Sequence, residues 1–575
     1  MCPIDASTAK SRPRNSAIFL AFAGDSTMTR GRAMGAPRFA ERGPQVNLGV
    51  RDAANRARPD GRLGDVAATL STPAGGTAVR RRMLRDRALA ALEPAHRPAM
   101  VLAAMVSLYT VVFGWLCWNQ HANWSSFGFD TGIHDQGIWL VAKGHDPFVT
   151  IRGLDYFGHH VNLISLLFVP LYALGGGVEL LTVTHTLWVA SAAIPLFLLG
   201  RDRGLRPWVA LVPAGAYLLH PATQWITWWL YHPDSMAIAP LCFAWWLARS
   251  RRWRWFAVAI AVALACKEDV ALAVAALGFA LLLTNRWRAG WLTVAAGGLW
   301  FLFCTRIVIP WRTGAVQPFY EAFFPSLGTT PTEILANAIR HPSRVIELAG
   351  RPANGPYMTR MLGPYAGLSL LAIPAALVGV PQLGVNLTVE VVAGATIKSQ
   401  YATLPLVGMT LAMVEGLAWL ARKDTSGWFL RAGVILLAAC SLSFTWTDGM
   451  SPLSRSYVRR GEWAREPRFN QAELEAAKRL VGPTAGMAAS YNIDTQFTHR
   501  RIDYEWPNPW MSTYYGVDGA TGDPSKVDFI VLELAAASTP PDVALLDQLT
   551  GPDGEFDVVY RQRGVLVAKR RAPAP

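Results

Sequence analysis

A series of long apolar runs, separated by short basic loops, constrains the fold of this chain more than any other feature. A helix that spans a bilayer needs about 20 apolar residues. Because the chain is 52% hydrophobic and only 16% charged, the pattern excludes a disordered chain and an ordinary soluble enzyme. We predict an all-α polytopic membrane domain over residues 99–447, with about ten to twelve spans. The runs that reach or approach spanning length are 99–118, 179–200, 207–221, 235–249, 255–267, 269–284, 289–310, 364–380, 402–421 and 428–446.

The net charge of +14 is concentrated before the first apolar run. Residues 1–98 hold 17 Lys and Arg against 8 Asp and Glu, and they show no sustained hydrophobic period. This composition predicts a basic, disordered cytoplasmic tail. The remaining basic excess lies in short loops and forms no recognised binding module, so we expect no nucleic-acid partner.

Four basic loops orient the apolar runs, because positively charged loops stay on the cytoplasmic side of a membrane. They are 201–206, 249–254, 285–288 and 422–423. With the tail and these loops inside, residues 119–178 become a large first outer loop. The short apolar run 161–174 within that loop then does not cross, and we predict that it lies at the membrane interface.

Residues 448–575 follow the last run and have the features of a small soluble α/β domain on the extracytoplasmic face. The sequence Asn-Gln-Ala-Glu at 470–473 resembles a helix capping box. Residues 527–532 alternate like a β-strand, and 556–569 predict a hairpin that turns at Arg563 and Gly564.

The first outer loop contains the densest group of polar residues. It reads FDTGIHDQGIW over residues 129–139, and helical spacing of its apolar residues predicts an amphipathic surface helix over 132–142. On such a helix Asp130 and His134 share one face, and Asp135 is displaced from it. Helix capping is the alternative role for the two aspartates.

Two further groups of ionisable residues lie between apolar runs, at the same predicted outer level. His232 and Asp234 precede one inward run, and residues 267–269 read Lys-Glu-Asp between two others. Ionisable groups bounded by spans are costly and indicate function. The alternatives are that Asp234 is the N-cap of the next helix, and that Lys267 pairs with one of Glu268 and Asp269 and leaves the other free.

Histidines and carboxylates of this level provide candidate metal ligands, although no spacing matches a zinc site. A Mg²⁺ or Mn²⁺ ion held by carboxylates and a phosphate is more consistent with the donors. The chain has no P-loop, no dinucleotide-binding fingerprint and no Gly-x-Ser-x-Gly motif. The histidines in question are His134, His159, His160 and His232.

Several motifs resemble those of a bacterial and archaeal family of predicted polytopic membrane proteins of unknown function. They read FDTGIHDQ at 129–136, GHDPF at 144–148, FGHH at 157–160, KED at 267–269 and THRR at 498–501. The resemblance extends over roughly residues 100–535. That family in turn resembles the GT-C glycosyltransferase superfamily, whose members have many spans, an acidic first outer loop and a soluble outer C-terminal domain.

The resemblance implies a plasma-membrane enzyme that transfers a sugar from a polyprenyl-phosphate donor to an outer-face acceptor. Such a reaction needs a carboxylate as base and a cation for the leaving phosphate. Our candidates for the base are Asp130 first and Asp135 second. The expected partners are a polyprenyl-phosphate-linked sugar and membrane lipid. The candidate substrate-binding residues are His134, Arg152, His159, His160, His232, Asp234, Lys267, Glu268, Asp269 and Lys398. The candidate phosphate ligands are Arg152, Arg306, Arg360 and Lys398, unless they only snorkel at span ends.

Two other functions fit the same pattern. A transporter or lipid flippase predicts charged groups in the middle of the spans and broken helices, whereas here the charges lie at span ends. A non-catalytic membrane scaffold would display the outer domain and tolerate alanine at the outer-loop acids.

Overall fold

A computed structural model describes residues 96–126, 128–314, 323–390, 395–459, 462–463, 466–517 and 520–572. The predicted tail, apart from residues 96–98, lies outside the described residues. Residues 95–575 form one compact unit, which is mostly helical and carries a small β-sheet near its C-terminal end.

Among the described residues, five helical segments are long and apolar enough to cross a membrane. Four shorter apolar helices, 207–219, 253–264, 270–283 and 373–388, accompany them. Two of these segments, 178–202 and 287–313, are each divided into two helices. The long segments contain α1 (Arg97–Ala122), α5 (Val178–Ser191), α6 (Ala193–Asp202), α12 (Trp287–Phe303), α13 (Ile309–Thr313), α19 (Thr403–Lys423) and α20 (Trp428–Asp448).

Shorter helices complete the membrane domain and correspond to several predicted runs. The run 207–221 is divided at Pro221 into two helices, because a proline removes a backbone donor and favours the first turn of a new helix. These helices are α7 (Pro207–Leu219), α8 (Pro221–Trp228), α9 (Ile238–Arg249), α10 (Trp253–Leu264), α11 (Val270–Leu283), α14 (Pro331–Arg340), α15 (Pro342–Ala349), α16 (Gly355–Leu362), α17 (Ile373–Ala376) and α18 (Val380–Thr388).

The prediction of one continuous span over 364–380 is wrong. Ala366 and Gly367 both have positive φ angles, of 52° and 70°, which interrupt a right-handed helix. The segment instead forms short 3₁₀ turns followed by α17, another 3₁₀ turn and α18. This part of the membrane domain is therefore an interrupted helix.

The four basic loops meet at one end of the membrane domain, as their common orientation predicts. Arg203 donates to the buried carboxylate of Glu415 at 2.8 Å, and Arg249 Nε forms an ion pair with the same carboxylate at 3.1 Å. Arg422 donates to the carbonyl of Arg203 at 3.1 Å, and Arg286 bonds the carbonyl of Ala248, next to Arg249, at 3.2 Å. Glu415 lies in the second half of α19, about 18 Å along the helix from its first residue, Thr403, so the helix separates these loops from residues 398–402.

The first outer loop folds into short elements that pack on the opposite end of the spans. A π-helical turn (Gly128–Gly132) leads into α2 (Ile133–Ala142), which confirms a helix at the predicted place. The surface location is wrong, because residues 133–138 are all buried within the protein. The apolar run 161–174 forms a 3₁₀ turn and one short helix rather than a span. The remaining elements are β1 (Phe148–Val149), β2 (Leu154–Asp155), α3 (Tyr156–His159) and α4 (Val169–Ala173).

The C-terminal region is a mixed five-stranded sheet in the order β4-β3-β5-β7-β6, with one helix packed on each face. Strand β3 pairs in parallel with β4 and β5, whereas β7 is antiparallel to β5 and β6. The predicted hairpin at Arg563 and Gly564 is confirmed. The elements are α21 (Arg455–Val458), α22 (Gln471–Val481), β3 (Met487–Ala489), β4 (Asp503–Glu505), β5 (Phe529–Glu533), α23 (Pro540–Thr550), β6 (Phe556–Gln562) and β7 (Val565–Arg570).

The predicted capping box is wrong in its chemistry, although α22 begins at the expected place. Asn470 makes no side-chain cap. Its amide nitrogen donates instead to Glu533 at 2.9 Å, because folding brings that buried carboxylate from β5 beside it. Trp124, just after α1, packs with Leu474 of α22 and so joins the outer loop to this domain.

Candidate functional site

The π-helical turn at the start of the outer loop positions Asp130 against the C-terminal domain. The Gly128 N–H donates to the carbonyl of Tyr491 at 3.1 Å. A Cβ atom at Gly128 would overlap both that carbonyl and the carboxylate of Asp494, so only glycine permits this approach. The side chain of Asp130 remains 27% exposed, which makes it accessible to a ligand.

Asp130 and His134 approach the same partner, His232, as their predicted common face requires. The carboxylate of Asp130 lies 3.6 Å from His232 Nε2, and the rings of His134 and His232 are 5.9 Å apart. Burial, reinforced by His232, holds the pKa of His134 well below its ordinary value, so His134 is neutral. Its Nδ1 bonds the hydroxyl of Tyr156 at 3.2 Å.

Lys267 is buried between two carboxylates. Its Nζ lies 3.6 Å from Asp234 and 3.3 Å from Asp269. Burial alone would lower the pKa of Lys267, but these acids raise it well above its ordinary value, so the ammonium stays charged. Asp234 also caps the turn that follows it, accepting from the Ser235 N–H at 3.0 Å. The capping and ion-pair alternatives therefore both describe the structure.

Glu268 faces away from Lys267 and binds the outer loop. It accepts from His160 Nδ1 at 2.7 Å and from the Val161 N–H at 3.0 Å. Burial raises the pKa of Glu268, but the charge and hydrogen bond of His160 outweigh it and lower the pKa to about 2. Neither acid next to Lys267 is left free, in contrast to our expectation, because Asp269 pairs with Lys267 while Glu268 is bonded to His160 and the Val161 N–H.

Several buried polar atoms around this cluster have no hydrogen-bond partner among the described residues. They include both ring nitrogens of His232, one carboxylate oxygen of Asp269, the Ser399 hydroxyl and the Gln400 carbonyl. The next residue, Tyr401, lies within electrostatic reach of Asp130, Asp234, Lys267 and Asp269. A buried polar atom normally finds a partner, so such a concentration indicates a ligand site. We call the group Asp130, His134, His232, Asp234, Lys267, Asp269, Ser399, Gln400 and Tyr401 the outer polar site.

Lys398 lies at the edge of this group and makes no ion pair within the described part of the chain. Its ammonium is 4.7 Å from the centre of the Trp225 ring. Arg152, which is also a candidate phosphate ligand, is buried and donates to the carbonyls of Tyr514 and Gly516 at 2.6 and 3.2 Å. Arg152 thus holds the outer loop to the C-terminal domain, and Lys398 is the cation that is better placed for a ligand.

Asp135 points away from the outer polar site, as its displacement on α2 predicts. It is 1% exposed, and it accepts from the Tyr172 hydroxyl at 2.6 Å, from the Thr498 hydroxyl, and from His499 Nε2 at 3.1 Å. With both oxygens occupied, it has no free position for a substrate. Its effect on a ligand acts through His499.

The remaining candidate, His159, lies beside His160 with ring centres 4.4 Å apart. Burial is the main reason that the pKa of His159 is well below its ordinary value. Among the described residues, no group of three or more His, Cys, Asp or Glu side chains is placed to hold a metal ion. The donor set therefore does not fit the Mg²⁺ or Mn²⁺ expectation, and we derive no step through a metal.

Sequence reasoning missed a chain of hydroxyl groups behind His134 and a group of acids behind Asp130. Tyr156 donates to Ser165 at 2.9 Å, and Ser165 lies 2.8 Å from the Tyr231 hydroxyl. On the other side, burial raises the pKa of Asp503 to about 7 and, together with Asp130, that of Glu505 to about 8. Tyr and Ser residues, and Asp or Glu residues in β-strands, are common, and no local sequence pattern predicts that these particular ones lie beside the site.

The fold and the outer polar site together define a multi-pass membrane protein with a polar cluster at one end of its spans. The chain belongs to the family described as "Predicted membrane protein (DUF2079)", whose family model matches residues 120–567. This match extends from the first outer loop to the last strand and confirms the family resemblance. No curated protein matches the chain.

Proposed function

We propose that this protein is a GT-C-like glycosyltransferase of the bacterial plasma membrane, which moves a sugar from a polyprenyl-phosphate donor to an outer-face acceptor. The observation that carries the proposal is the set of buried polar atoms around Asp130 and His232 that have no hydrogen-bond partner among the described residues. The accessible carboxylate of Asp130 supports it, as does Lys398, which contacts the Trp225 ring and makes no ion pair within those residues. A lipid-linked donor must be reached from the membrane, and this site lies at the ends of the apolar helices.

In the proposed reaction, Asp130 accepts the proton of an acceptor hydroxyl. The hydroxyl oxygen forms a bond to the anomeric carbon while the bond from that carbon to the phosphate oxygen breaks. The leaving phosphate keeps the electron pair, and Lys398 offsets its charge. His232 lies 3.6 Å from Asp130 and orients it, and Lys267 limits the repulsion among the neighbouring acids.

The proposed topology places the four basic loops and the N-terminus in the cytoplasm, with the C-terminal domain outside. The convergence of those loops on Glu415, in the half of α19 that is distant from residues 398–402, supports it. A reporter enzyme that is active only outside the cytoplasm, fused after residue 572, should be active. If the same reporter is active only when it is fused within loop 285–288, the orientation of the protein is the opposite of the one proposed.

The test of activity measures the release of free polyprenyl phosphate, because this product does not depend on the identity of the acceptor. Membranes containing the full chain receive a panel of polyprenyl-phosphate hexoses and pentoses. Asp130→Asn should lower release by about 10²–10⁴-fold, the usual contribution of a general base. Asp553→Asn, at an exposed position of the outer domain, is the matched control and should retain activity.

Equal release by Asp130→Asn and the unchanged protein would refute Asp130 as the base. Absence of release from every donor would refute the transferase proposal. If Ala substitutions at Asp130 and His232 leave every measured property unchanged, the scaffold alternative is favoured instead.

A further inference from the structure

A cleft of about 510 Å³ lies on the other side of α2 from the outer polar site. One wall is formed by His121 and Glu179, at the adjoining ends of α1 and α5. The other is formed by Lys478 of α22 and by residues 495–500. We call it the outer cleft, and the reaction proposed above makes no use of it.

The best-anchored side chain of the outer cleft is His499. Its Nε2 bonds Asp135, whose carboxylate is fixed by Tyr172 and Thr498, and its ring stacks on Trp139 with centres 5.9 Å apart. The side chain of His499 is nevertheless 40% exposed. An exposed imidazole held by a fully bonded buried carboxylate is a positioned group rather than a surface histidine.

Positive charge exceeds negative charge in the outer cleft. Asp135 is balanced by His499, which leaves Glu179 as the remaining acid of the lining, and Glu179 itself lies 3.7 Å from His121. Lys478 donates to the neutral Gln496 at 3.0 Å rather than to a carboxylate. Two further cations of the lining are Arg479 and Arg500. The cleft is therefore suited to an anionic ligand.

The position of the outer cleft indicates where such a ligand comes from. Trp118, one turn before His121, and Leu180, next to Glu179, are 44% and 38% exposed on helices that are long and apolar enough to span a membrane. An exposed tryptophan at a span end is typical of the headgroup level. The mouth of the cleft thus lies at the level of lipid headgroups.

We propose that the outer cleft binds the phosphate group of an anionic phospholipid, with the imidazolium of His499 and the ammonium of Lys478 as its donors. This assignment gives a role to the THRR motif and is independent of the transferase activity. His499 uses Nε2 for Asp135 and keeps Nδ1–H for the phosphate. Lys478 supplies a second charge from the opposite wall.

Protonation of His499 should control this binding, because the neutral ring would present a lone pair to the phosphate. Burial lowers the pKa of His499, but the charge of Asp135 outweighs it and the pKa is raised. The groups that face His499 from the surrounding elements are Asp135, Tyr172, Glu179, His121 and Lys478. Binding should be stronger at pH 6 than at pH 9.

The experiment uses the full chain in phosphatidylcholine nanodiscs and measures its thermal unfolding midpoint. The probes are inorganic phosphate, glycerol phosphate, and discs with increasing phosphatidylglycerol. His499→Gln and Lys478→Gln should each weaken apparent binding about tenfold, since each removes a charged hydrogen bond. Glu179→Gln should strengthen it, and Lys526→Gln, an exposed lysine of the same domain, should leave it unchanged.

Stabilisation by phosphatidylglycerol that follows this order of variants supports the lipid headgroup. Stabilisation by the two soluble probes alone, in the same order, supports the phosphate site and overturns the lipid source. The Glu179→Gln variant keeps the test valid if a cleft substitution prevents folding. No stabilisation by any probe, or an equal response of all variants, overturns the proposal.

Discussion

Replacing Glu415 should destabilise the membrane domain more than any exposed charge change. Its carboxylate is only 8% exposed, accepts hydrogen bonds from Arg203 at 2.8 Å and from the Trp245 indole N–H at 3.3 Å, and forms an ion pair with Arg249 at 3.1 Å. The guanidinium groups are themselves 27% and 12% exposed, so little water is available to replace the lost acceptor. The carboxylate holds together loops that otherwise repel one another.

The expected magnitude follows from these contacts. Removing one partner of a buried ion pair costs about 3–5 kcal/mol, because the remaining charge is buried without compensation. Glu415→Ala should therefore lower the free energy of unfolding by that amount. Glu415→Gln keeps a neutral acceptor for one of the two hydrogen-bond donors and should cost about 2 kcal/mol.

The assay is unfolding of the purified full chain in mixed micelles with increasing denaturing detergent. Glu347→Ala is the matched control, because Glu347 pairs with Arg344 at 2.8 Å but is 67% exposed, and such pairs contribute about 0–1 kcal/mol. A Glu415→Ala variant within about 1 kcal/mol of this control would refute the reasoning. The basic loops would then be held by lipid and backbone contacts rather than by Glu415.

Three further predictions concern the outer loop. Gly137→Ala should disorder the loop, because a Cβ atom there would overlap the buried ring of Tyr156, and limited proteolysis should show faster cleavage than in Gly355→Ala, where a Cβ atom meets open space and φ is negative. Asp155→Ala should cost about 2–4 kcal/mol, since its carboxylate accepts two backbone N–H groups and an arginine, which the same micelle assay measures. The raised pKa of His499 means that its pairing with Asp135 stabilises fully below pH 6.5 and is lost as pH rises through that raised pKa. Hydrogen exchange of 495–500 should accordingly increase at high pH, beyond the intrinsic rate, and Asp135→Asn should remove the dependence.

The lowered pKa of Asp135 sets the lower pH limit for the pairing of Asp135 with His499, whereas the raised pKa of His499 sets the upper limit. Burial raises this pKa, but His499 and the hydroxyl donors outweigh burial and lower it. The stabilisation is therefore present above the ordinary pKa of 3.8 and is lost as pH falls through the lowered pKa. The contact between the outer loop and residues 498–499 should be tightest between these two limits.

Much of the membrane domain could be predicted because its signals are local. Apolar runs and basic loops depend on neighbours in sequence, and five of the helical segments among the described residues are long and apolar enough to cross a membrane. The Arg563-Gly564 turn of the C-terminal sheet depends on local sequence in the same way. The prediction of a continuous span over 364–380 is wrong because apolar composition does not indicate the positive φ angles at Ala366 and Gly367. The prediction that Asn470 caps α22 is wrong because its side chain donates to Glu533, which is distant in sequence.

The sequence by itself determined the class of protein, the clustering of the basic loops and the residues from which a polar site could be built. Only the tertiary structure decided how those residues are divided. Consecutive residues of α2 point in different directions, so His134 meets His232 while Asp135 meets His499, more than 360 positions away. Such partners are fixed by packing of distant elements, and no local pattern of apolar or charged residues encodes them.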